Sequence, residues 1–232
     1  MWKFAIIGAT VLAMVFAFVA CDAVKDEVNS RTAKTETFDI DLTDDWVPLY
    51  AIAQGDYDLT AVCYAETITI DAMLGETDYA SAWDSAKDYI DEIALNSLEY
   101  RIDNNQSEGG RLDIYLIDSV PSPMPLPGDF SLEDLGLKNL SFILVDPAVL
   151  STDDRIGFIK IPKGENVTDS WPEASFVSGG RTALEDQLMD FDEPFAFCLR
   201  LEIKTHTVDI TDLEPDLDIK IRTSFDVTFT PL

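Results

Sequence analysis

Basic residues are scarce in this chain. Against 44 Asp and Glu stand 16 Lys and Arg and a single His, a formal net charge of −28 over 232 residues. Affinity for a nucleic-acid backbone comes from Lys and Arg neutralising its phosphates, so this deficit excludes nucleic acid as a partner. Adsorption to an anionic bilayer through a basic patch is excluded on the same ground. One His and three Cys are too few for a zinc centre of the usual kind. No Gly-x-Ser-x-Gly elbow is present to supply a nucleophile, so the sole histidine, His206, reads as a strand-end or surface residue and no catalytic residue is assigned. What the chain does have is apolar mass. At 47% apolar residues it builds a core of one large domain or two small ones.

Residues 1–21 read MWKFAIIGATVLAMVFAFVAC. Lys3 supplies a short positive start, and nothing from Phe4 to Ala20 is charged. That run suits the apolar stretch of a signal peptide and falls short of the roughly 20 residues that a membrane-spanning helix needs. It ends in Phe18-Val19-Ala20-Cys21, which resembles the signal of bacterial lipoproteins. In that family a lipobox, Leu-(Ala/Ser/Val)-(Gly/Ala)-Cys, precedes cleavage. Val19, Ala20 and Cys21 match it, and Phe18 stands where Leu is usual. The resemblance implies removal of residues 1–20 as a signal peptide and a thioether-linked diacylglycerol on Cys21. It places the chain in the cell envelope, anchored by lipid to the inner or the outer membrane. Each buried acyl CH₂ contributes about 0.8 kcal/mol, so the lipid holds a soluble domain without a protein span. The resemblance covers these 21 residues and says nothing of the fold behind them. Cleavage after Ala23 and an uncleaved anchor helix are the other readings of the same stretch. The polar residues 21–35 then read as a lipidated tether ahead of a single domain over 36–232.

Within that domain the dominant pattern has period two. Phe38, Ile40 and Leu42 alternate with Asp39, Asp41 and Thr43. Similar runs occupy 67–72, 98–103, 112–116, 195–204 and 219–229, with more continuously apolar strands around 140–146 and 156–161. Half-wet strands of this kind belong to antiparallel sheets, and the fold class expected is mainly β, an antiparallel sandwich. TFDIDL near the start and SFDVTF near the end read as partner strands. Two helices are expected to cover an open end. The longer spans about 78–94, with Asp78 as N-cap and a stripe of Tyr79, Trp83, Ala86, Ile90 and Ile93. The shorter spans about 180–190, with Leu184 and Leu188 on one side. Between the halves, Pro121, Pro123, Pro125 and Pro127 make 119–129 a rigid, extended crossover.

The remaining candidates are few. Cys63 and Cys198 lie in strand-like stretches of an exported chain, where a disulfide and two separate buried thiols are both open. Carboxylates gather at turns, and calcium takes six to eight oxygens from such loops. Asp44, Asp45, Asp209, Asp212, Asp216 and Asp218 are its candidate ligands, though none follows the EF-hand spacing. Trp46 and Trp171 stand beside acids in turn-like contexts, placed either to stack on a ligand or to plug a sandwich end. Asn105, Asn139 and Asn166 form glycosylation sequons that matter only in a eukaryote. These features point to a non-catalytic envelope lipoprotein with a binding or structural role, meeting an envelope protein or glycan. A calcium-dependent carbohydrate-binding or adhesion module is the alternative. An acid-pair hydrolase, with carboxylates about 5 or 6.5–9.5 Å apart, is a third.

Overall fold

A computed structural model describes residues 34–43, 46–49, 53–54, 57–67, 69, 89–124, 142–190, 192–203 and 216–229. Among these, alternating residues form eleven strands: β1 (Lys34–Asp41), β2 (Val47–Leu49), β3 (Ala53–Gln54), β4 (Tyr57–Tyr64), β5 (Ile90–Asp103), β6 (Gly110–Ile117), β7 (Phe142–Val145), β8 (Arg155–Ile161), β9 (Ser175–Phe176), β10 (Ala196–Ile203) and β11 (Leu217–Phe229). One α-helix, α1 (Gly180–Met189), joins them.

The strands form two antiparallel sheets. In the smaller, β11 is the hub: β5 pairs along one edge, β1 and β2 in tandem along the other. Phe38 lies opposite Phe225, so TFDIDL and SFDVTF are indeed neighbours. The gap between β1 and β2 is closed by a side chain. The Leu42 amide donates to the Ile221 carbonyl at 2.8 Å, and the Ile221 amide donates to the hydroxyl of buried Thr43 at 3.0 Å. The larger sheet runs β3-β4-β10-β6-β8-β9, with β7 on the same edge of β4 as β3.

Both sheets turn one face to a common core. Leu98, Ile102, Ile219, Ile221, Phe225 and Val227 come from the smaller, and Val62, Leu112, Ile114, Leu144, Ile159, Phe197, Leu199 and Leu201 from the larger. Burial of such side chains contributes roughly 1.5–3 kcal/mol each. The Tyr64 hydroxyl donates to the Leu42 carbonyl at 2.7 Å, tying the β4 edge of one sheet to the β1–β2 corner of the other.

The opposite flank is sewn shut by the chain between β8 and β9. Val167 exchanges backbone hydrogen bonds with Ile102, and the Ala174 amide donates to the Leu98 carbonyl, so this segment lines the outer edge of β5. It then joins the larger sheet as β9. Helix α1 closes the same flank, burying Leu184 and Leu188 in the core. It therefore lies along a side of the sandwich, where sequence pattern suggested an end.

The longer helix expected over 78–94 is not formed where it is described. Residues 78–88 lie outside the described residues, and Ile90 to Ala94 belong to β5. The cause is a bulge. Ser97 faces Ser224 but Leu95 faces Phe225, leaving Asn96 without a partner position. The buried set consequently shifts from Ile93 and Leu95 to Leu98 and Ile102, which hides the period of two. Helix α1 serves the bulge: Arg181 donates to the Leu95 carbonyl, and Glu185 accepts from the Leu95 amide at 3.2 Å. Of the Pro-rich crossover, residues 119–124 are described. Pro123 bridges Val145 at the β7 edge, a place that needs no amide from it. Lys34 and Thr35, read from the sequence as the end of a tether, lie in β1; residues 21–33 lie outside the described residues.

Gly180 lets α1 sit on β8. A Cβ there would stand 1.9 Å from the Ile156 carbonyl oxygen, a backbone atom with no side-chain freedom to yield. Gly180→Ala should lower stability by about 1–3 kcal/mol in urea denaturation, as overpacking does. Unchanged stability would contradict this close approach.

Candidate functional site

Cys63 and Cys198 occupy facing positions in β4 and β10, and the structure joins them in a disulfide with Cα atoms 4.1 Å apart. The bond lies on the outward face of the larger sheet, opposite the main core. That face carries its own small core. Ala61, Tyr115, Ile143, Val145 and Leu150 surround the two sulfurs, with Ile117 and Val120 packed alongside.

Next to this core the same face turns polar. Arg111, Asp113 and Tyr115 project outward from β6 while Leu112 and Ile114 point inward. Arg200 in β10 faces Asp113 in register, and Arg155 in β8 faces Tyr115. Asp113 is buried, and accepts from Arg111 Nε at 2.6 Å and from Arg155 Nη1 at 3.4 and 3.5 Å. The Arg111 guanidinium also lies 4.2 Å from the Phe158 ring centroid. Burial, and then the Asp113 charge, push the Tyr115 phenol above its ordinary value, against the opposite pull of Arg200 and Arg155. Three arginines thus surround one carboxylate and one buried phenol. Nothing in the local sequence signals this, because the residues come from three strands.

The smaller sheet's outward face is also built around cations. Arg222 donates from Nε and Nη2 to Glu99 Oε2, both at 2.7 Å, and stands 3.7 Å from Asp39. Lys220 pairs with Asp41 at 2.9 Å. Trp171 is half-buried and engaged here, with the Arg222 and Arg101 guanidinium carbons 4.2 and 4.4 Å from its ring. The indole face that a sugar would stack on is occupied by arginine. Trp46 is half-buried beside β2.

Two of the six proposed calcium ligands, Asp216 and Asp218, lie among the described residues. Asp44, Asp45, Asp209 and Asp212 lie outside the described residues, as do Cys21, Trp83 and His206. Asp218 faces Asp103 across the β11–β5 ladder, and such a like-charged pair is unfavourable unless bridged. Asn104 donates to Asp218 at 2.5 Å and Asn166 to Asp103 at 2.7 Å. The Asp216 carbonyl accepts from the Gln106 amide. No group of three His, Cys, Asp or Glu among the described residues is placed to hold a metal ion. Two of the sequon asparagines are similarly committed: buried Asn105 donates to the Pro162 and Glu165 carbonyls, and Asn166 serves Asp103.

A loose group of acids sits where β6 ends and β8 and β10 begin. Desolvation first, and then the charges of Asp118 and Asp153, raise the Asp154 carboxyl above its usual range. Glu193 is raised by a hydrogen bond and charge from Asp190. On the far side of the molecule, hydrogen bonds from Thr37 at 2.6 Å and Asn96 at 2.8 Å lower the Asp226 carboxyl.

No family model matches the chain, and no curated protein matches it. Solved structures similar to it include Desmodium yellow mottle tymovirus, at 8% identity over 87% of this chain and 90% of that one, with a TM-score of 0.29. Turnip yellow mosaic virus aligns at 12% identity over 88% and 83%, with a TM-score of 0.25. A marine algae virus of the order Picornavirales aligns at 13% over 88% and 74%, with a TM-score of 0.24. Likeness of this degree carries no argument about function.

A raised carboxyl penalises the folded state above its folded pKa, and the penalty vanishes as pH falls through that value. Asp154→Asn should therefore raise the melting temperature at pH 7 slightly, by the equivalent of about 0.5 kcal/mol or less given its exposure, and do nothing near pH 3. Asp226→Asn should behave oppositely, lowering the melting temperature at pH 7, since a depressed carboxyl stabilises above its unfolded pKa. Thermal melts across that range check both signs.

Proposed function

We propose that this chain is a cell-envelope lipoprotein. The signal through Ala20 is removed, Cys21 carries the lipid, and a short tether displays the sandwich at a membrane surface. The observation that carries the reading is the Cys63–Cys198 disulfide. Disulfides persist in oxidising compartments and are rare in the cytosol, so the bond supports export independently of residues 1–21. Export leaves one of the three cysteines for another task, and Cys21 is the one at the end of an uncharged apolar run.

The role of the displayed domain is binding or structural, toward an envelope protein or glycan, and not catalytic. Several outward carboxylates support this, being taken up by arginines, a lysine and asparagines. Asp39, Asp41, Glu99 and Asp113 each answer a cation, and Asp103 and Asp218 answer side-chain amides. The excess of unanswered acid keeps the tethered domain soluble and away from anionic lipid.

Metabolic labelling with a palmitate analogue tests the anchor. Wild type should incorporate the label and fractionate with membranes, and Cys21→Ala should do neither. Equal labelling of the two would overturn the proposal, as would a soluble, unlabelled wild-type protein.

A further inference from the structure

We propose that Arg155, Arg200 and Tyr115 form a binding site for a tetrahedral dianion, namely phosphate, sulfate or a phosphate monoester, on the outward face of the larger sheet. The inference rests on charge and on unmet hydrogen bonds, and stands apart from the lipid anchor. The chain has seven arginines, and three of them gather around one carboxylate. Arg111 satisfies that carboxylate at 2.6 Å, whereas Arg155 reaches it only at 3.4 Å. In the next row Glu202 and Lys160 flank Arg111 and offset each other. Three guanidinium groups thus stand around one carboxylate, an excess of positive charge on a molecule that is otherwise heavily acidic.

One donor of each of Arg155, Arg200 and Tyr115 is also unanswered. The Nε atoms of Arg155 and Arg200 are buried without a hydrogen-bond partner, and the Tyr115 hydroxyl, which Arg200 approaches, has no acceptor for its own proton. Tyr115 is wholly enclosed, at 0% exposure. Each unmet buried donor costs about 1–3 kcal/mol, and each offers an N–H or O–H to an oxyanion. Arginine suits this ligand, since its planar fork presents paired N–H groups to two oxygens at once. Phe158 and the Cys63–Cys198 core lower the dielectric around the site, which strengthens a charge-assisted contact. The Arg155 side chain keeps 25% of its exposure and Arg111 37%, so an ion arrives from solvent along their side.

Titration calorimetry of the full-length protein in detergent with inorganic phosphate tests the assignment. Wild type should bind one phosphate with a Kd of about 1 mM or tighter. Arg155→Gln and Arg200→Gln should each weaken binding at least about tenfold, equivalent to one charge-assisted hydrogen bond. Tyr115→Phe, which preserves the packing, should weaken it severalfold and serves where an arginine variant does not fold. Arg222→Gln, on the opposite sheet, should bind as wild type does. Parallel titrations with sulfate and glycerol 3-phosphate separate the sources: equal binding of the monoester assigns the site to attached phosphate, and its exclusion assigns it to the free ion. Absence of phosphate binding at about 20 mM would overturn the proposal, since that is far above the expected Kd. So would unchanged affinity in Arg155→Gln, Arg200→Gln and Tyr115→Phe.

Discussion

Every strand of the smaller sheet hydrogen-bonds to β11, the last strand of the chain. β1 and β2 run along one edge and β5 along the other, so half of the core has no backing until residues 217–229 are in place. The partners are distant in sequence, with Lys34 opposite Phe229. Pairings of such separation must close large loops before burial compensates, and folds that depend on them form slowly. The same pairing positions the N-terminal segment. Lys34 lies beside the end of β11, at one corner of the smaller sheet. The disulfide between β4 and β10 performs a related task in the larger sheet, holding residues 135 apart in register.

Charge is organised around this framework. Apolar residues fill the space between sheets, and alternation sends acids such as Asp39, Asp41, Glu99, Glu202, Asp218 and Asp226 outward. The few cations are concentrated. Arg222, Lys220 and Arg101 occupy the centre of the smaller sheet's outward face, with Asp39, Asp41, Glu99 and Trp171 answering them. Arg111, Arg155 and Arg200 occupy the larger sheet's face around a single buried carboxylate, Asp113, which pairs with the first two. The two faces are built from similar parts, but only the first is close to balanced. That difference singles out the second as a place for an anion.

Much of the fold was legible because alternation survives wherever a strand is regular. Phe38, Ile40, Ile219, Ile221, Phe225 and Val227 announce their strands and even their pairing. The reading failed at β5, where bulges at Asp91 and Asn96 shift the phase and leave Ile90 and Ile93 at a helical interval. A bulge is a tertiary accommodation, here served by Arg181 and Glu185 from a helix some ninety residues later. The candidate site was less legible still. Arg111, Arg155 and Arg200 each look like an ordinary outward residue, and only sheet order β10-β6-β8 brings them together. Trp171 reads from its neighbours as either a stacking platform or a plug for a sandwich end, and its partners Arg101 and Arg222 are invisible in the local sequence. The disulfide was an open question for the same reason: register between β4 and β10 decides it, and register is not written in either strand alone.

The central claim is that an exported, lipid-anchored chain carries a disulfide-closed sandwich. Intact-mass spectrometry of the protein extracted from native membranes, without reduction, tests it most directly. The account predicts a species whose first residue is Cys21, heavier than the polypeptide by a diacylglycerol-type modification and lighter by the two hydrogens of the Cys63–Cys198 bond. A chain that retains residues 1–20, or that carries Cys63 and Cys198 as free thiols, would contradict it.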